Sequence, residues 1–234
     1  MIISAALCPA PPLLARELTG ADPVVPELRQ ACLDAAAGLL RARPDVIAVV
    51  GAGERTATWD GAAWLDLSRF APGIGLAAAD GAPVLPLPLG LGARLLDQAG
   101  YDGPRVLQLV GEDEPAGRCA ELGAAIARSA GRVALLAMGD GSARRGPKAP
   151  GYFDARSGPF DADVERAVRD GDLDALLAVD EALARELMAT GRPAWQVLAG
   201  ALQGTEPATE ISYRDDPFGV AYLVASLSVR HPAG

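Results

Sequence analysis

Short apolar runs alternate along the chain with longer segments in which apolar residues recur at helical spacing. Runs of the first kind are "IISAAL" (Ile2 to Leu7), "VIAVV" (Val46 to Val50), "VLQLV" (Val106 to Val110) and "VALLAM" (Val133 to Met138), each bounded by Gly, Pro or Asp. Their continuity predicts strands buried on both faces, as in a parallel sheet covered by helices. The proline-rich "PVLPLPLG" (Pro83 to Gly90) predicts an edge strand or an extended segment, because proline cannot donate to a ladder.

Helices fill the intervals. "PELRQACLDAAAGLLRARP" places Leu28, Cys32, Ala35, Ala36, Leu39 and Leu40 on one stripe between Pro26 and Pro44, and "GRCAELGAAIARSAG" has the same character. After residue 156 come "PFDADVERAVRDGD", "LDALLAVD", "EALARELMATG" and "RPAWQVLAGALQG", with Asp161, Asp172 and Asp180 placed as caps or first-turn acids. "EISYRDD", a turn at Pro217 to Gly219 and "VAYLVASLSV" predict a hairpin on the sheet edge. The fold class is α/β: one domain over residues 1–234, a mostly parallel central sheet flanked by helices, and an antiparallel edge hairpin near the C-terminus.

Composition narrows the function classes. The 234 residues carry a net charge of -9, and the arginines are scattered among carboxylates, which argues against a nucleic-acid surface. Apolar runs are too short to cross a membrane, and three dispersed cysteines, Cys8, Cys32 and Cys119, suggest reduced thiols and a cytoplasmic protein. His231, the sole histidine, lies near the end of the chain, so a Ser-His-Asp triad is not expected.

In an open α/β sheet, ligands bind beyond the carboxyl ends of the strands. The segments leaving those ends are "CPAPPLL", "GAGERT", "GEDEPAG" and "GDGSARRGPKAPGYFD". The last holds Asp140, Ser142, Arg144, Arg145, Tyr152 and Lys148, the only lysine. "GAGER" is neither a dinucleotide fingerprint nor a P-loop, since Thr56 stands where a third glycine belongs. Trp195 and Gln196 sit on an amphipathic helix where a core tryptophan is the plain expectation, and Trp59 and Trp64 flank a hairpin or loop insert.

Taken together, "CPAPPLL", "PDVIAVVGAG", "LLAMGDGSARR" and the run from "APGYFDAR" to "WQVLAGAL" resemble the catalytic B subunit of class III extradiol ring-cleavage dioxygenases, whose superfamily includes DOPA dioxygenases and Memo proteins. The resemblance covers nearly the whole chain and is most specific from Gly139 to Leu202. It implies a non-haem iron(II) site of two histidines and a glutamate that binds a catechol, with a further histidine as acid/base. The positions matching the ligand histidines are Ala10 and Gly53, and Ala143 matches the acid/base histidine. Alanine and glycine offer no lone pair, so a two-histidine-one-carboxylate site does not assemble. Glu206 and Glu210 lie in the late region where the glutamate ligand is expected.

The expectation is a degenerate member without a resident cofactor, binding a small-molecule ligand or a protein partner through the old crevice. Ser142, Arg144, Arg145, Lys148 and Tyr152 would serve an anionic or phenolic ligand; the plain alternative has Arg144 and Arg145 paired with acids such as Asp154 or Asp161, and Tyr152 packed under the loop. An active enzyme is the other reading, with Fe(II) or another divalent metal rescued by Cys8, Glu54, Asp140 or Glu112. A homodimer, or pairing with an active relative, is a third arrangement. Histidines restored at Ala10, Gly53 and Ala143 should create weak iron affinity, and the change at Gly53 costs stability if that glycine takes a positive φ.

Overall fold

The computed structural model describes residues 1–19, 24–59, 64–68, 70–71 and 84–230. Its seven-stranded sheet is built from β1 (Ile2–Cys8), β2 (Val46–Gly53), β3 (Ala57–Trp59), β6 (Arg105–Gly111), β7 (Val133–Met138), β8 (Glu206–Asp215) and β9 (Tyr222–Arg230). Strand order is β3-β6-β2-β7-β1-β9-β8. The four central strands β6, β2, β7 and β1 run parallel, with β3, β9 and β8 antiparallel to their neighbours. This is the predicted mixed α/β architecture, with the late hairpin at the edge.

The continuous apolar runs follow from burial on both sides. Along β7, Ala134, Leu136 and Met138 join one core cluster while Val133, Leu135 and Ala137 join the other, all fully buried. The first cluster packs under α2 (Pro26–Arg41) and α3 (Leu87–Gln98), and the second under α4 (Ala116–Ala127), α5 (Ser157–Asp170) and α8 (Arg192–Leu202). The short helices α6 (Leu173–Leu177) and α7 (Glu181–Glu186) are capped as expected, Asp172 Oδ1 accepting from Ala175 N at 2.9 Å and Asp180 Oδ1 from Leu183 N at 2.6 Å. Asp161 does otherwise: it lies inside α5 and caps nothing there.

Two sequence expectations need correction. "PVLPLPLG" contributes only the two-residue β5 (Val84–Leu85), paired with β4 (Trp64–Leu65) in a separate small sheet, before α3 begins at Leu87. Its prolines start a helix because a first-turn amide has no intrahelical acceptor to lose. Trp59 and Trp64 do not share a hairpin either, since β3 pairs with β6 and β4 with β5. Residues 72–83 lie outside the described residues, as does His231.

Helices α4 and α8 meet at glycines. A Cβ on Gly123 would lie 2.1 Å from the Val197 carbonyl oxygen, and one on Gly200 would lie 2.4 Å from the Ala120 Cα. Both obstacles are backbone, so neither helix can yield by changing a rotamer. Gly123→Ala should therefore destabilise the fold by about 1–3 kcal/mol or more, read as a lower urea midpoint, despite alanine's better helix propensity.

Candidate functional site

Strands β1 and β7 leave the sheet side by side, and their loops are tied at once. Gly139 N donates to Cys8 O at 2.9 Å, and Ala10 N donates to Asp140 Oδ1 at 2.7 Å. The Asp140 amide donates to Thr190 Oγ1 at 3.4 Å, and its carbonyl accepts from Gly191 N at 2.8 Å. Asp140 Oδ2 has no hydrogen-bond partner among the described residues. The side chain is half-buried. Burial pushes the carboxyl up to about 6, and the Ala10 amide pulls the other way.

The groups behind Asp140 are buried. Cys8 on β1 and Cys32 on α2 are both fully enclosed, and their mutual hydrogen bond, with burial next, raises the Cys32 thiol. Burial also raises the Tyr222 phenol, with the Asp140 charge adding to it. Cys8 is therefore a core thiol joined to Cys32, not a group offered to a ligand.

The residues matched to histidines lie at the ends of these strands. Ala10 and Ala143 are 8 % and 7 % exposed and share one apolar cluster with Leu14, Leu67, Leu85 and Val220. Gly53 ends β2 opposite Gly111 and has no positive φ. The obstacle to a side chain there is instead Leu109, whose Cδ2 would lie 2.8 Å from the new Cβ. Glu54 and Glu112 are exposed at the ends of β2 and β6. Among the described residues, no three His, Cys, Asp or Glu side chains converge at metal-binding distance. The residues present do not fit the iron site that the resemblance implies.

The late glutamates are out of place for it as well. Glu206 pairs with Arg230 at the opposite end of the sheet, and Glu210 faces Ser226 in mid-strand; both are exposed. At the crevice end of the hairpin stand Asp215 and Asp216.

Two of the five predicted anion donors, Ser142 and Arg145, are committed elsewhere. Ser142 is fully buried, and its amide (2.9 Å) and hydroxyl both donate to the Asp161 carboxylate. Arg145 Nε donates to Asp216 Oδ2 at 2.8 Å and lies 3.8 Å from Asp161 Oδ2. Burial raises the Asp161 carboxyl, opposed by Ser142 and Arg145. Arg145, Asp161 and Asp216 border a cleft of about 420 Å³ between α5 and the β8–β9 hairpin. Asp154 pairs with Arg156, which holds its carboxyl down at about 2, so Arg144 takes neither acid and leaves its buried Nε without a partner. Tyr152 does not pack under the loop; it is 77 % exposed. Lys148 is exposed and forms no salt bridge among the described residues.

The sequence reading missed a second buried polar knot. Arg192, 1 % exposed, donates through Nη1 to Glu114 O (2.6 Å) and Gln196 Oε1 (2.9 Å), and through Nη2 to Glu112 O. Gln196 Nε2 in turn donates to Leu177 O and Val179 O. Every acceptor but Gln196 is main chain, so the knot fixes loops and presents nothing to a ligand. The i, i+4 spacing of Arg192 and Gln196 was its one visible signal. Trp195, as expected, is a core residue at 2 % exposure.

No family model matches the chain, and no curated protein does. Among solved structures, the crystal structure of the uncharacterised protein JW3007 from Escherichia coli K12 is similar, with a TM-score of 0.59 and 16 % identity over 97 % of this chain and 99 % of that one. At that identity the likeness is one of fold. No helix among the described residues is long and apolar enough to cross a membrane.

Asp140 generates a pH prediction. A carboxyl raised from an ordinary value of 3.8 to about 6 binds more protons in the folded than in the unfolded state between those limits. Stability is thus lost as pH rises through that window and stays lost above it. Asp140→Asn, which keeps an acceptor for the Ala10 amide, should stabilise the protein at pH 8 by up to about 3 kcal/mol and by little near pH 4. Urea unfolding at the two pH values checks this.

Proposed function

We propose that the chain is a degenerate extradiol dioxygenase-like protein that has lost the iron(II) site and binds a small ligand through the former crevice. The observation that supports this reading is the state of the three histidine-matched positions. Ala10 and Ala143 are packed into one apolar cluster at the carboxyl ends of β1 and β7, and the polar group left beside them is Asp140. With Ser142 and Arg145 bound to Asp161 and Asp216, the case for an anionic ligand loses two of its five donors. A carboxylate with one uncommitted oxygen suits a ligand that donates, such as a phenol, another hydroxyl or an amine.

A second reading, an enzyme working through the same crevice, is favoured by one observation: a carboxyl with a pKa of about 6 is suited to general acid–base work near neutrality. A non-standard metal site would be the other route to activity, and the same experiment addresses it.

The purified protein is incubated anaerobically with iron(II), manganese(II) and zinc(II), freed of excess and analysed for metal. Less than about a tenth of an equivalent of each is expected, and near one equivalent would overturn the loss of the site. Titration calorimetry with catechol as the probe should then show binding that Asp140→Ala weakens about tenfold. Absence of binding at about 10 mM catechol would count against a phenolic ligand, and ring-cleaved product would decide for the enzyme.

A further inference from the structure

Beside the crevice, and independent of its reading, the structure exposes an apolar knob. Tyr152 is 77 % exposed, Phe153 62 % and Met188 42 %. They form one patch: a Cβ added to Gly151 would lie 2.7 Å from both Met188 Sδ and Arg144 Cγ. Tyr152 and Met188 also hold left-handed backbone, with φ of 59° and 57°, an uncommon state for residues other than glycine. At Met188 that state ends α7 in a Schellman turn, Met188 N donating to Arg185 O and Ala189 N to Ala184 O, and at both residues a large apolar side chain is left out in water, an arrangement expected at an interaction surface. Beside the knob, Lys148 is exposed and forms no salt bridge among the described residues.

Directly adjoining the knob is an apolar groove of about 730 Å³ between α5, α6 and α7. Its walls include Phe160, Val164, Val179 and Leu183, and its rim is acidic, with Asp163, Asp170, Asp172 and Asp180 against Arg156 and Arg166. Ala155 and Arg156 line the groove just after Phe153 in the chain, and Met188 follows α7, which supplies the groove with Leu183. An apolar projection with an exposed lysine beside it therefore stands next to an apolar recess rimmed by carboxylates.

That pairing is self-complementary. A two-fold axis between knob and groove places the knob of each copy against the groove of the other, so that every contact occurs twice. The exposed parts of two aromatics from each copy, at about 150–250 Å² per whole side chain, supply about 400–700 Å² of burial before the groove walls are counted, and a standard interface buries about 1,200–2,000 Å². We propose that this face is an isologous dimer interface in which Tyr152, Phe153 and Met188 of one copy dock into the α5–α6–α7 groove of a second copy.

Sedimentation velocity and light scattering over roughly 1–100 µM test it. The full chain should be a dimer that weakens as salt rises, because opposite charges meet at the rims. Phe153→Asp on the knob and Ala175→Arg in the groove, both at exposed positions, should each weaken the dimer at least tenfold with unchanged circular dichroism. A wild-type monomer at roughly 100 µM would overturn the proposal. So would a dimer that both variants leave intact, since it would use another face.

Discussion

The Asp161 carboxylate is the contact on which the carboxyl end of the sheet depends. It receives both the amide and the hydroxyl of Ser142, which ties the loop after β7 to a helix that begins fifteen residues later. With Ser142 fixed, the rest of the loop is stitched on either side. Gly141 N and Arg145 N donate to Ala221 O and Gly219 O, Ala221 N returns a bond to Ser142 O, and Ala143 N reaches Leu187 O. Loop, hairpin turn and the end of α7 thus form one unit. Its interior position explains why a carboxylate is used: an ionised acceptor holds buried donors more strongly than a neutral one, and Arg145 supplies part of the compensating charge.

This also explains why the loop keeps its shape with an alanine at 143. None of its anchoring bonds runs through the side chain at 143, and the alanine there meets apolar neighbours. Ala10 likewise contributes only its amide to Asp140. A scaffold held by main chain, Ser142 and Asp161 tolerates small apolar side chains in places where a metal would demand imidazoles. Asp140 is the exception, a carboxyl kept at a cost in desolvation, which makes it the polar residue most in need of a functional explanation.

Much of the fold was legible because its core strands are buried on both faces and so appear as unbroken apolar runs at Val46 to Val50 and Val133 to Met138. The capping by Asp172 and Asp180 was legible for a similarly local reason, an acid just before a helix. What escaped were interactions between distant residues. Asp161 looks like a first-turn acid until Ser142 is brought to it, and the prolines of "PVLPLPLG" suit an extended segment as well as a helix start. Arg145, read as a candidate ligand group, proved to be the partner of Asp216, whose proximity no local pattern encodes. The crevice positions could be named from the sequence, while the Cys8–Cys32 contact and the raised Asp140 carboxyl required the third dimension.

Strand order carries a consequence for how the chain reaches this state. β1 is made well before its ladder partners, β7 and β9, which begin at Val133 and Tyr222. During synthesis at about 5–20 residues per second, its apolar residues wait for several seconds with both edges open. Such remote pairing makes for slow folding, and the exposed strand is a natural ligand for a chaperone in that interval. Cys8 waits with it, so a thiol that is sealed in the finished protein is open to oxidation only while the protein is new.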